Sequence, residues 1–398
     1  VIVSKRRIRR EGLSANHIAK SFGGRIMPVT IRTVETRKDK KASINLSWQI
    51  YKGNPAWVPP LRRDLWQTLD PERNHFLLSG PFRLFLAFRN GKPVGRVLAG
   101  IDRKTNEAKG KCEGYLSLFE CVDDYECARA LLDTACAYLR ANGATAVRGP
   151  VSPTNGDDYR GFLLNDFANP PVLMNSYNPP YYPEFFERYG FSKHIDLYAY
   201  IFDVHVPRTP EAVTYAMERY GFTVEPINLN RLEDELADIK RVLDEAMPEE
   251  WPDLIPPDEE ALREIAKTLR PLADPEFILI ARHNGRPIGF NITLPDYNQV
   301  LLHLRDGRLF PFGWLKFLFW KRKIDGLRFF VLFVVPDFRR KGVSAAIFLR
   351  TFAAVEKSRR YRWVEGSTIG ETNHRMRRDV ERAGGRHYRT YRIYRKAL

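Results

Sequence analysis

The chain has 398 residues, of which 44% are hydrophobic and 28% charged, and carries a formal net charge of +16. These values fit an ordinary globular protein of two to three domains. They exclude a membrane-spanning chain: the best apolar stretch, Leu309 to Trp320, is about half the ~20 residues a span needs and contains Lys316.

Residues 1–26 hold seven Lys/Arg and one Glu, a basic tail ahead of Met27 without the apolar run of a secretory signal. A basic arm can bind nucleic acid or anionic lipid; solvated tail and translated upstream sequence are the plainer readings. Val29 to Val34 alternates as a strand, followed by helices over 38–51 and 60–68. Phe82–Arg89 and Pro93–Ile101 are strands around Asn90-Gly91, a hairpin signal because both central residues of a type I′ turn need positive φ. Tyr115–Val122 is a strand. Asp123-Asp124 caps a helix that runs to Asn142 and is closed by Gly143. Ala144–Arg148 is a strand, Gly149–Pro180 is rich in Pro, Asn and Gly, Tyr182–Tyr189 is a helix and His194–Val204 a strand.

The order then repeats. Phe222–Ile227 is a strand, 231–246 and 258–269 are helices, and Phe277–His283 and Pro287–Thr293 flank Asn284-Gly285. Leu327–Val335 is a strand, Lys341–Lys357 a helix, Tyr361–Glu365 a strand, Asn373–Ala383 a helix and His387–Arg395 a strand. Three anchors share one offset of 194 residues: Ala87 to Gly95 recurs as Ala281 to Gly289, Glu187-Arg188-Tyr189-Gly190 as Glu381-Arg382-Ala383-Gly384, and Trp57 loosely as Trp251. The period is too long for a solenoid, so each copy is expected to own a core. The expected organisation is a basic tail over 1–27, one mixed α/β unit over 28–205 and a second over 206–398, joined near Val206 to Pro210.

Four cysteines, Cys112, Cys121, Cys127 and Cys136, all fall in the first copy at spacings of nine, six and nine. No zinc or redox motif has that spacing, so no metal is expected, and the thiols read as small core residues in a reducing cytoplasm.

The sharpest chemical signal is Val334-Val335-Pro336-Asp337-Phe338-Arg339-Arg340-Lys341-Gly342-Val343-Ser344. A buried strand ends in a basic turn, and Gly342 opens a helix. Unpaired N–H groups and the dipole make such a helix start an anion site suited to a pyrophosphate. Here the chain resembles the GNAT superfamily of acyl-CoA N-acyltransferases, whose loop reads Arg/Gln-x-x-Gly-x-Gly/Ala; this one departs only in having Ser344 at the last place. Asn373-x-x-Met376 looks like the family's penultimate helix, where the Asn meets the pantetheine arm. The resemblance covers most of 222–398, and the same architecture without the loop covers 28–204. It implies two tandem GNAT-like domains of mixed α/β fold. It also implies acetyl-CoA or another acyl-CoA as co-substrate, held by Val334, Val335, Arg339, Arg340, Lys341, Gly342, Val343, Ser344, Asn373 and Met376. The amine of a small molecule or peptide would enter from the opposite side.

Direct transfer needs proximity, a base for the amine and an acid for the leaving thiolate. The family's Tyr seven residues after the helix Asn is replaced here by Val380. Glu365 and Glu371 are the nearest carboxylates, and Tyr388, Tyr391 and Tyr394 are the candidate acids, with Tyr391 assigned. The plain alternative is that Glu365 balances local arginines and the tyrosines pack. The first copy has Asp123-Asp124 where the second has its basic loop, so it is expected to reject a phosphate.

Two loops stay open to two readings. Gly149–Pro180 suits a small-molecule pocket or a domain interface, and turn chemistry explains much of it too. The insertion Leu304–Asp325, with six aromatics flanked by Arg305, Arg308, Lys321, Arg322 and Lys323, reads as a lid or lipid-facing surface, or as a hairpin packed between the copies. The rarity of exposed patches favours the packed hairpin. Two rival functions also remain: an aminoacyl-tRNA-dependent transferase, for which +12 over the last sixty residues is suited, and a non-catalytic ligand-binding scaffold. Nucleic acid is therefore the less favoured partner.

Overall fold

The computed structural model describes residues 27–154, 156, 158–204, 210–251 and 254–398. The tail before Met27, Asn155, Asp157, the join over 205–209, Pro252 and Asp253 lie outside the described residues.

The first repeat runs β1 (Thr30–Thr33), α1 (Arg37–Ile50), α2 (Arg62–Thr68), β2 (Phe82–Arg89), β3 (Lys92–Ile101), α3 (Arg103–Lys109), β4 (Glu113–Cys121), α4 (Tyr125–Ala141), β5 (Ala146–Gly149), β6 (Phe162–Leu163), α5 (Tyr182–Tyr189) and β7 (Ser192–Asp203). The second runs α6 (Pro210–Tyr220), β8 (Phe222–Pro226), α7 (Leu232–Glu250), α8 (Glu259–Leu269), β9 (Ile278–His283), β10 (Arg286–Pro295), α9 (Asn298–Leu301), α10 (Gly313–Lys321), β11 (Gly326–Val334), α11 (Val343–Ser358), β12 (Trp363–Gly370), α12 (His374–Arg382) and β13 (Arg386–Ala397). Both hairpins form as expected: Asn90 and Gly91 have φ of 51° and 72°, Asn284 and Gly285 50° and 80°. Helix α6 turns Val213, Met217 and Tyr220 onto the core and packs on α11.

All strands share one sheet, in the order β1-β2-β3-β4-β5-β13-β7-β12-β11-β10-β9-β8, with β6 beside β13. The two copies exchange their last strands. β13 closes the sequence yet lies between β5 and β7, and β7 ends the first repeat yet pairs β12 of the second. The cores follow the exchange. Phe202 of β7 is buried with α11, its ring 5.6 Å from that of Phe352. Tyr394 of β13 is buried with Phe162 and Phe186 of the first copy. Sequence repeat and packed half are therefore different sets of residues.

Candidate active site

Each copy has a parallel strand pair that forks. β4 pairs β5 only over Glu113–Tyr115, and β11 pairs β12 only over Gly326–Phe329. Beyond those points the strands part, leaving one edge of β4 and of β11 without a partner strand.

In the first copy tyrosines close the end of the β4 edge. The Tyr182 hydroxyl accepts from the Cys121 N–H at 2.8 Å, and the Tyr181 hydroxyl donates to the Cys121 carbonyl at 3.0 Å. These are strand groups that a ligand lying along β4 would need. The start of α4 is closed as well: Asp124 accepts from the N–H groups of Glu126 and Cys127, and Arg89 bridges Asp124 and Glu126 at 2.9 and 2.6 Å. An anion would meet carboxylates already neutralised by an arginine.

In the second copy the helix start is open. No side chain caps α11, and Gly342 sits at φ +84°. A Cβ there would come 2.8 Å from the Ala216 Cβ of α6, so only glycine lets the loop and α6 meet. The basic residues divide. Arg339 turns inward, its Nε donating to the Val334 carbonyl at 3.2 Å and its Nη2 to the Ala246 carbonyl at 3.3 Å, which makes it a brace of the loop. Arg340 is exposed, and Lys341 lies against Phe338 and Tyr220 with its Nζ 4.4 and 5.8 Å from their rings. Val343 is buried, while Ser344 reaches Asp379 at 3.5 Å. Asn373 caps α12, its Oδ1 accepting from the Met376 N–H at 3.1 Å.

At the apex of the second fork lies a buried polar cluster. Glu365, fully buried, accepts from Asn175 Nδ2 at 2.8 Å, Ser367 Oγ at 2.7 Å and the Tyr388 hydroxyl at 2.8 Å. Its neighbour across the pair is Arg328, also fully buried, which donates to the carbonyls of Leu173 and Ser367. Asp296 completes the group, accepting from the N–H groups of Leu173 and Asn298 at 2.8 and 3.2 Å. Burial pushes the Asp296 carboxyl up to about 7, and the charge of Glu365 adds to the rise. Burial likewise raises the Tyr388 phenol, again with Glu365 adding.

The structure separates the three acid/base candidates. Glu365 sits at the fork. Glu371 is held elsewhere, by Lys193 at 2.6 Å and the Asp196 N–H at 3.2 Å. Tyr391 is buried in an apolar cluster with Leu163 and Leu197. Tyr388, on the same strand, is the phenol that reaches Glu365. Sequence spacing could not choose between them, because a register shift between His387 and Arg389 changes the face each side chain takes.

A cavity of about 260 Å³ adjoins this cluster, with Asn175 and Tyr159 on one wall and Asn298 and Leu301 on another. Its far end is the first fork, where Glu120 accepts from Tyr182 at 2.7 Å and Ser47 at 3.2 Å and faces Arg96 at 3.6 Å. Burial raises the Glu120 carboxyl, with Arg96 opposing. The Gly149–Pro180 loop, read as suited to a pocket or a domain interface, does line this cavity with Asn175 and Tyr159, whereas sequence reading gives Glu120 no role, its partners lying in distant segments.

No family model matches the chain. It is 29% identical over 380 residues to the bacterial ceramide synthase of Caulobacter vibrioides, covering 93% of this chain and 98% of that one. It is 30% identical over 383 residues to protein YghO of Escherichia coli, covering 92% and 95%. A tandem GNAT protein from the clavulanic acid biosynthesis pathway superposes with a TM-score of 0.54 at 12% identity, over 93% of this chain and 98% of that chain. The chain belongs to one family with YghO and has the tandem GNAT fold.

With that fold it carries two forks of the same design in unequal states: tyrosines bond both backbone groups of Cys121 at the end of the β4 edge, while at the end of the β11 edge Arg339 takes the Val334 carbonyl and α11 starts uncapped. Among the described residues no His, Cys, Asp or Glu cluster could hold a metal, and no helix is long and apolar enough to cross a membrane.

Proposed function

We propose that this protein transfers an acyl group from acyl-CoA to a primary amine, with the donor on the second copy and the acceptor in the cavity. The observation that carries this reading is the contrast between the forks: Tyr181 and Tyr182 occupy the end of the strand edge in the first, while β11 beyond Phe329 has no partner strand on that edge and α11 starts uncapped. Residues Gly342 to Ser344 and Lys341, with exposed Arg340, suit the pyrophosphate, and Val334 and Val335 the pantetheine. Arg339 supports the loop from within.

Glu365 is the base in this reading. The amine nitrogen attacks the thioester carbonyl, a C–N bond forms as the C–S bond breaks, and the amine proton passes to the carboxylate. Tyr388, bonded to Glu365, returns a proton to the thiolate in this reading. The cavity supports an acceptor with an apolar body, since Leu61, Leu65, Val151 and Leu301 wall it. Together with the relative whose name is ceramide synthase, this favours a long-chain amine, the kind of acceptor whose N-acylation gives a ceramide. Unpaired cysteines support a cytoplasmic setting.

The test offers the protein acetyl-CoA or a long-chain acyl-CoA with either a long-chain amino alcohol or a peptide amine, and reads the amide by mass spectrometry. Amide formation that depends on Glu365 is the expected result. Absence of both CoA binding and amide product, with steeply salt-dependent tRNA binding instead, would replace this reading with aminoacyl-tRNA-dependent transfer.

A further inference from the structure

Residues 304–325 are where the packed-hairpin expectation fails. Only one side of α10 packs: Phe317 stacks on Tyr297 with rings 5.8 Å apart, and Trp320 on His303 at 3.5 Å. The other side faces outward, with Phe310 at 74% exposure, Phe312 at 72%, Leu318 at 53% and Phe319 at 56%, and with Trp314 and Leu315 beside them. Six large apolar side chains within ten residues form a patch of a kind that soluble surfaces usually avoid.

The patch is held firmly. Arg305 donates to the Trp57 carbonyl at 2.6 Å, its own carbonyl accepts from Trp48 Nε1 at 2.9 Å, and the Gly307 carbonyl accepts from the Arg62 N–H at 2.9 Å. The insertion thus bridges from the second copy to α1 and α2 of the first. Those anchors border the cavity: Trp57, Pro60 and Leu61 line it from the first copy, and Leu301 of α9 from the second.

Cations ring the patch. Arg308, Lys316, Arg322 and Lys323 are exposed, and the whole 304–325 segment holds only Asp306 and Asp325 as acids. Lys323 Nζ lies 4.3 Å from the Phe319 ring and 4.7 Å from that of Trp320, so a cation sits against the aromatic edge of the patch. Aromatic and leucine side chains framed by lysine and arginine match the chemistry of an anionic bilayer interface, where rings enter the headgroup region and cations meet lipid phosphates. A second copy of this chain is a poor occupant, since a two-fold contact would set one cationic ring against the other.

We propose that Phe310 to Phe319 is a docking surface for an anionic lipid bilayer, and that docking holds the cavity mouth at the membrane so that a long-chain amine enters from the lipid phase. The delivery half rests on the cavity being the acceptor site; the docking half does not.

The experiment is flotation of the full chain with vesicles of phosphatidylglycerol and phosphatidylcholine, against phosphatidylcholine alone. Wild type is expected to float with the anionic vesicles. The variant F310S/F312S/L318S/F319S, altered only at exposed positions, is expected to lose about tenfold or more in vesicle affinity, while its melting temperature and CoA binding stay unchanged. K316E/K323E is expected to lose binding to anionic vesicles with its apolar face intact. No flotation of wild type, equal flotation of all variants, or a dimer that the serine variant dissolves would overturn docking. For delivery, the serine variant is expected to lose acylation of a vesicle-borne amine and keep that of a short soluble amine; equal rates on the vesicle-borne amine would overturn it. Docking by a protein that acylates no amine would sink the acyl-transfer reading and leave the docking surface standing.

Discussion

Asn175 donates to Glu365 at 2.8 Å across 190 residues of sequence. That one bond ties the long loop of the first copy to the fork of the second, and it puts a cavity wall against the buried carboxylate.

Replacing Glu365 should separate chemistry from binding. Glu365→Gln keeps the shape and an acceptor oxygen, so CoA binding measured by calorimetry should be unchanged while kcat falls by about 10²-fold or more. Asn175→Ala should cost about 1–3 kcal/mol of stability in urea unfolding, because the buried Glu365 loses one of its three donors. Glu371→Gln should leave kcat within about twofold, since Glu371 serves an ion pair away from the fork.

One CoA per chain is the expected stoichiometry. Lys341→Glu should weaken CoA binding about tenfold or more by placing a carboxylate at the mouth of the open helix start. Asp124→Asn should leave CoA binding unaltered, because α4 starts beneath protein side chains that already satisfy it. A second binding event in wild type would contradict the plugged first fork.

Strand exchange couples the halves. Phe202→Ala, made in the first repeat, should cost about 3–5 kcal/mol by emptying a site in the core of the second. Removing β13 should unfold the first half too, since β5 and β7 both pair with it. Far-ultraviolet circular dichroism and tryptophan fluorescence should report one coincident transition for the full chain.

Asp296 sets a pH dependence of stability. Its folded-state value near 7 lies above the ordinary carboxylate value of 3.8. The folded state therefore binds more protons than the unfolded one between those limits. Stability should fall as pH rises from about 4 to about 7, by at most about 4 kcal/mol, and then level off. Asp296→Asn keeps the acceptor for Leu173 and Asn298 and removes the charge. It should gain on wild type at pH 8 and lose that advantage at pH 5, read as denaturation midpoints across pH.

The repeat, both Asn-Gly hairpins, the strand order within each copy and the unequal helix starts at Asp124 and Gly342 were legible in the residues. Each depends on neighbours close in sequence: a turn needs positive φ at two adjacent positions, and a helix start is capped or open according to the residues beside it. Sequence gives the charge of Arg339 and not its direction; the contacts with the Val334 and Ala246 carbonyls are tertiary. Tertiary structure alone decided the exchange of β7 and β13, the contact of Tyr388 rather than Tyr391 with Glu365, the meeting of Asn175 with Glu365 and the outward face of α10. Those four depend on pairing and packing between segments far apart in the chain, where register and burial are set by the whole sheet and no local pattern records the outcome.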